Sequence, residues 1–281
     1  MTQTQLILSA MTWKPMTIKE VATEIDAPEP SVRRILWQWA KQWIFERIAP
    51  GIYTITIGET TKAIIKCGDS LHEIKKLKNA GYKFDMVFLD IPYDTPAIKW
   101  GNRGAKYEFI STTQFEEFLT DLKYCITDRT HVYHMYSNAP SWWKQMKAYN
   151  DCFERVWLKL QRQWWWQKLH KNWKPVAFCG KVSAREWLAL YSGTDIDVAT
   201  NMKFDFTSER PRTHSEKCSH MIHSLISQST KIWDRILDPF SGTWVVWEQS
   251  LILWRSVMLF EKSIDRVKNE IIPRLTTIFS K

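Results

Sequence analysis

The sequence predicts an α/β protein: a doubly wound, mostly parallel sheet over residues 59–281, preceded by a small helical unit with a β-wing over residues 1–58. Three observations predict it. From Lys62 onward, short apolar runs alternate with amphipathic stretches, the rhythm of strand–helix repeats. Met86-Val87-Phe88-Leu89 is apolar without interruption, as strands buried on both faces are. That run and Arg235-Ile236-Leu237 both end in an aspartate, Asp90 and Asp238, where an open α/β sheet presents its functional loops.

In chain order, Gln5 to Met11 and Thr17 to Glu24 have helical apolar spacing, and Thr17 with Glu20 makes a capping box. Ala27-Pro28-Glu29-Pro30 breaks the chain, and Ser31 caps a helix over Val32 to Gln42. Ile44 to Ile48 and Gly51 to Ile55 read as a hairpin about Ala49-Pro50. This order, and the segment TIKEVATEIDAPEPSVRRIL, resembles a winged helix-turn-helix. The resemblance implies that the helix from Ser31 faces the DNA major groove, with Arg33 and Arg34 at phosphates or base edges. A dimerisation or packing module also fits, since this segment carries 6 basic and 5 acidic residues.

Strands are expected at Ala63 to Cys67, Met86 to Leu89, His131 to Tyr136, Phe153 to Leu160, Trp187 to Tyr191, Arg235 to Leu237 and Val257 to Phe260. Helices are expected at His72 to Asn79, Thr113 to Cys125, His220 to Thr230, from about Thr243 to Leu253, and at Ile264 to Thr277.

Composition narrows the function. The five cysteines are widely spaced with no C-x-x-C pair, which argues for a reducing cytoplasm rather than a disulfide scaffold or zinc ribbon. No run approaches the roughly 18 apolar residues of a membrane span, and the first residues lack the basic and apolar regions of a secretory signal. Net charge is +9, and residues 144–185 alone hold 10 basic against 2 acidic side chains. Charge serving only solubility would be spread; a block this local reads as a polyanion contact, with a solvated face as the alternative.

Leu89-Asp90-Ile91-Pro92-Tyr93 resembles the D-P-P-Y motif of amino methyltransferases that act on DNA bases. An exocyclic base amine is a poor nucleophile because its lone pair is delocalised into the ring. Acceptors for both of its hydrogens favour the pyramidal, nucleophilic form. The resemblance implies that Asp90 is one acceptor and the backbone carbonyl of Ile91 the other. Pro92 then fixes the turn, and Tyr93 offers an extruded base a face to stack on. Ile91 stands where proline is usual, but its acceptor is backbone.

Leu237-Asp238-Pro239-Phe240-Ser241-Gly242-Thr243 resembles the D-P-F-x-G-x-G loop for S-adenosylmethionine, which implies Asp238, Phe240 and Gly242 at the cofactor. Glu261, 19 residues after Gly242, ends the next strand, where an acid accepts ribose hydroxyls. Residues 210–226 resemble the H-P-T-Q-K-P segment of such enzymes: His214 and Lys217 match in residue type, three positions apart where the segment has four, while Ser215, Glu216 and Cys218 do not; the resemblance implies Lys217 at the cofactor. Cys67-Gly68-Asp69-Ser70 resembles the G-D-C/S element beside the cofactor's adenine, which implies Asp69.

The order of these elements, with the basic block between them, is the permuted β-type order of DNA amino methyltransferases, over about residues 61–275. The expected function is therefore transfer of a methyl group from S-adenosylmethionine to adenine N6 in double-stranded DNA. Aspartate at position 90 favours adenine over cytosine-N4, whose enzymes more often have serine there. A DNA-binding protein with a degenerate methyltransferase domain is the rival from another class, and a partner restriction nuclease is left open. Lys159, Arg162, Lys168, Lys171 and Lys174 are expected at phosphates. No metal set has credible spacing, and displacement on a sulfonium needs none. His134, His220 and His223 are expected to be structural.

One oddity remains. The chain has 17 tryptophans and 9 glycines, where usage of about 7% would give roughly 20 glycines. Trp173 follows Asn172 where Asn-Gly would turn, and Trp43 sits where a helix usually ends in glycine. Trp244 and Trp247 replace glycines of the resembling cofactor loop, Trp254 replaces the glycine of a Leu-Gly-Arg, and Trp164 to Trp166 invite the same reading. An indole at 244 is expected to add bulk against the cofactor's methionine moiety and to force a disfavoured φ. One cause would account for all of them: UGA codons that mean glycine, rendered as tryptophan.

Overall fold

The structure, a computed structural model, describes residues 19, 22–23, 25–31, 44–49, 52–57, 61–92, 110–137, 143–167, 177–178, 182–183, 185–195, 217–242 and 244–271. The expected helices before Ile44 lie almost wholly outside these residues. The strands are β1 (Ile44–Ala49), β2 (Ile52–Ile57), β3 (Thr61–Cys67), β4 (Phe84–Leu89), β5 (Ile126–Ser137), β6 (Lys159–Gln167), β7 (Ala177–Phe178), β8 (Val182–Ser183), β9 (Arg185–Ser192), β10 (Arg235–Asp238) and β11 (Ser256–Glu261). Helices α1 (Ser70–Asn79), α2 (Thr112–Leu122), α3 (Trp143–Arg155), α4 (Ser219–Ser229) and α5 (Val245–Ile252) pack against them.

Among the described residues, nine strands form one sheet in the order β1-β2-β3-β11-β10-β4-β5-β9-β6. The neighbours from β3 through β5 are parallel, and the pairs at both ends are antiparallel. Alternation along the strands feeds two cores. Met86, Phe88, Leu188, Leu190, Val257 and Leu259 face α4 and α5. Val87, Leu89, Ala189, Tyr191, Met258 and Phe260 face α1, α2 and α3. Strands buried on both faces must be apolar throughout, which is why the runs in β4 and β11 show no polar alternation. The sheet is doubly wound, as the sequence implies.

Two elements differ from expectation. Phe153 to Leu160, read as a strand, is the last turn of α3, a chain reversal and the first residues of β6. Tyr149, Cys152, Phe153 and Val156 are buried at helical spacing, and the Phe153 ring stacks on Tyr191 with centroids 3.9 Å apart. The hairpin β1–β2, assigned to the N-terminal unit, pairs with β3 from Ile52↔Lys66 to Ile57↔Thr61. The sheet therefore runs across the expected boundary at residue 58.

The site is positioned by connectivity. From β10 the chain leaves through α5 toward β11, whereas from β4 it leaves through α2 toward β5. β10 and β4 are neighbours, so their connections diverge and open a crevice beyond their C-terminal ends. Among the described residues, no helix is long and apolar enough to cross a membrane.

Candidate active site

Four acids end the four strands around that crevice: Asp69 just after β3, Asp90 just after β4, Asp238 at the end of β10 and Glu261 at the end of β11. Each sits in a distinct environment. Asp69 caps α1, its Oδ1 accepting from the Leu71 N–H at 2.9 Å, while its Oδ2 lies 3.3 Å from the Lys262 ammonium. Asp90 is partly exposed, and its Oδ2 lies 3.1 Å from the Lys217 ammonium, whose side chain is 10% exposed. Lys217 arrives on the residues just before α4, so the D-x-P-Y and H-x-x-K elements, 127 positions apart, meet at one ion pair.

Asp238 is buried, and its Oδ1 accepts from the Phe240 N–H at 3.3 Å. Burial pushes its carboxyl well above the ordinary range, and the charges of Asp90 and Glu261 push the same way. Burial also raises Glu261, opposed by the Ser263 N–H at 2.9 Å and by Arg266, whose guanidinium is 3.6 Å away. This acid-lined crevice suits a ligand bearing positive charge, amines and hydroxyls.

The loop after β10 is tied to its neighbours at several points. Ser241 Oγ donates to the Phe260 carbonyl at 2.8 Å, Ser70 Oγ donates to the Pro239 carbonyl, and Phe240 packs on Phe118 with centroids 5.3 Å apart. The Gly68 N–H donates to the Glu261 carbonyl at 3.0 Å, joining the ends of β3 and β11. Ile91 is buried, and the Pro92 carbonyl accepts from the Ile110 N–H at 3.3 Å. Asp69, Asp90, Ile91, Pro92, Lys217, Asp238, Phe240, Gly242 and Glu261 thus gather at one end of the sheet. Tyr93 and His214 lie outside the described residues.

Sequence reading missed Lys262 and Arg266. The available signal was Ser263, which caps the turn that follows β11 by accepting from the Arg266 N–H at 3.2 Å and so returns a cation to Glu261. His134 is fully buried against Phe115, Tyr136 and Phe153, and burial lowers its pKa to about 3, so it is neutral. His223 is buried with Nδ1 3.0 Å from Gln249 Oε1. Both stand in the packed interior, and burial lowers the pKa of His223 as well.

Of the residues expected at DNA, Lys159 and Arg162 lie on the edge strand β6, Lys159 3.7 Å from Asp195 and Arg162 over the Trp164 ring at 5.7 Å. Lys147 pairs with Asp151 at 3.0 Å and Arg155 with Glu116 at 2.9 Å, so part of the basic block is already neutralised. Arg33, Arg34, Lys168, Lys171 and Lys174 lie outside the described residues.

Solved structures with the same architecture include the PvuII DNA methyltransferase (cytosine-N4-specific), at TM-score 0.53 and 13% identity, covering 79% of this chain and 92% of that one. The fold is that of a Rossmann-like methyltransferase. The M1.HpyAVI–SAM complex matches at TM-score 0.51 and 14% identity, over 72% of this chain and 94% of that one. TTHA0409 of Thermus thermophilus, provisionally named a DNA modification methylase and solved with S-adenosyl-L-methionine, matches at TM-score 0.52 and 11% identity, over 76% and 93%. No family model and no curated sequence matches the chain.

Proposed function

We propose that this chain is an S-adenosylmethionine-dependent DNA methyltransferase acting on the exocyclic N6 of adenine. One observation carries the reading: Asp90 and Asp238, each ending a strand, flank the point where the connections of β4 and β10 diverge. Two motifs far apart in sequence, one suited to a base amine and one to the cofactor, converge there. The S-adenosylmethionine complexes among the structural neighbours support the choice of cofactor.

The residues present fit that cofactor. Asp69, Asp238 and Glu261 offer acceptors for amine and hydroxyl groups. The turn from Asp238 to Gly242 would bring backbone N–H groups near the start of α5. When bound, S-adenosylmethionine supplies an electrophilic methyl group. Asp90 and the Ile91 carbonyl would accept the two hydrogens of the target amine, restoring its lone pair and stabilising the positive charge that develops on nitrogen. Lys217 holds the Asp90 carboxylate in place before a base arrives. The lysines of the 144–185 block would follow the phosphates.

Tritiated cofactor and duplex DNA test the reading. Labelled N6-methyladenine is the expected product. Labelled N4-methylcytosine would move the chain to the specificity in the name of the PvuII neighbour. DNA binding with no label transferred would make it a binding protein.

A further inference from the structure

Among the described residues, five that are not glycine have positive φ, and four of the five are tryptophan: Trp157 (69°), Trp233 (76°), Trp244 (66°) and Trp254 (62°), beside Asp26 (50°). A Cβ makes this region costly, and its usual non-glycine occupants are Asn, Asp and His. An indole is an unexpected tenant once; four times calls for a common cause.

Local hydrogen bonding identifies what each position requires. Helix α1 ends in a Schellman motif, with the Gly81 N–H on the Lys78 carbonyl and the Tyr82 N–H on the Leu77 carbonyl, both at 3.1 Å, and Gly81 at φ 70°. Helix α3 ends in the same pair, Trp157 N–H to Glu154 O at 3.1 Å and Leu158 N–H to Phe153 O at 2.9 Å. Helix α5 repeats it, Trp254 N–H to Leu251 O at 3.0 Å and Arg255 N–H to Ser250 O at 2.8 Å. The left-handed position is glycine once and tryptophan twice. Trp233 is the third residue of a turn closed by the Asp234 N–H on the Lys231 carbonyl at 3.1 Å, the place where a type II turn calls for glycine. Trp244 stands left-handed at the N-cap of α5, in the loop after Asp238.

We infer that positions 157, 233, 244 and 254 are glycine positions, that the gene encodes them with UGA read as glycine, and that the functional protein carries glycine at all four. Trp157 and Trp233 belong to no motif, so the backbone alone assigns them. The buried indole N–H of Trp244 has no partner among the described residues, but those of Trp187 and Trp247 share this, so the backbone carries the assignment. Trp164 to Trp166 give no backbone sign, because they pair regularly with β9 from Leu188 to Glu186. Trp43 and Trp173 lie outside the described residues. The expected steric clash at 244 also takes another form: the indole is buried in the core beneath α4 and α5, so the strain is in the backbone and in an unpaired N–H.

The inference rests on backbone geometry and stands apart from the methyltransferase reading; only its consequence for cofactor binding depends on that reading. Two experiments test it without any methyl transfer. The codons at 157, 233, 244 and 254 should be UGA, and UGG at these positions would overturn the inference. The second compares Trp157→Gly with Trp157→Ala by thermal unfolding. Trp157 is 76% exposed, so its removal leaves no cavity. Glycine should melt about 2–4 °C above alanine, since only alanine keeps the left-handed penalty. Alanine equal to or above glycine would refute the assignment. S-adenosylmethionine titration of the four-glycine variant then reads the cofactor consequence: binding at least tenfold tighter than the chain as written is expected, and equal affinity would mean that the loop functions with Trp244.

Discussion

The ion pair between Asp90 and Lys217 can be weighed by a double-mutant cycle with Asp90→Asn and Lys217→Met. At 3.1 Å, two unit charges attract by about 5 kcal/mol at an effective dielectric of about 20, and by about 1.3 kcal/mol in bulk water. Lys217 is 10% and Asp90 30% exposed, so the pair lies between these limits, and water screens the aspartate side. A coupling of about 1–3 kcal/mol follows. Thermal unfolding at fixed pH and salt reads it without requiring activity: the double variant should be no less stable than the weaker single variant. Effects that add to within about 0.3 kcal/mol would mean the pair does not form in solution. Turnover is the second readout. Asp90→Asn keeps an acceptor but removes the charge facing the developing ammonium, and should lower turnover by about 10²–10³ with cofactor affinity within about threefold. Near-normal turnover would remove Asp90 from the chemistry.

Three further outcomes are expected. Asp238→Asn should raise the melting temperature near pH 7 while weakening S-adenosylmethionine binding. Burial raises the folded pKa of Asp238, so the neutral carboxyl stabilises the fold below about pH 4 and that contribution is lost as pH rises through the folded pKa; the variant's advantage should therefore vanish in acid, and a lower melting point at pH 8 would contradict it. Arg255→Met should cost about 3–5 kcal/mol, about 10 °C in melting temperature. It strips a fully buried guanidinium from Thr230 Oγ1 (3.0 Å), the Thr230 carbonyl (2.6 Å) and the Leu253 carbonyl; a loss under 3 °C would show these bonds to be dispensable. Neutralising Lys168, Lys171 and Lys174 together should flatten the slope of log DNA affinity against log salt by about three, at roughly 0.9 per phosphate contact, and an unchanged slope would put them in solvent.

What the sequence made legible was the parallel centre of the sheet. β4 and β11 announce themselves because burial on both faces forbids polar alternation, and each ends in an acid where the chain must leave the sheet. Phe153 to Leu160 misled because Val156, Leu158 and Leu160 alternate as one face of a strand would; the turn at Trp157 carries no glycine to mark it, so the stop signal was missing from the text. The pairing of β2 with β3 was illegible for another reason: register between strands is a tertiary fact, and an antiparallel hairpin reads alike whether it stands alone or extends a sheet. At the site, the four acids could be named from motifs, but their cations could not. Lys262 and Arg266 follow Glu261 closely in sequence without matching any pattern, and Lys217 reaches Asp90 only through the fold.

The continuity of β2 with β3 also bears on how this chain can be divided. Strand edges carry unpaired N–H and C=O groups that recruit any other available strand, and β1–β2 shields the edge of β3 from Thr61 to Lys66. A polypeptide begun at residue 59 would offer that edge, apolar at Ala63 and Ile65, to its own copies. It would be expected to self-associate through strand addition, on the strand that leads to Asp69. The hairpin moves the edge of the sheet from β3 out to β1, and a cut that preserves the fold belongs before Ile44.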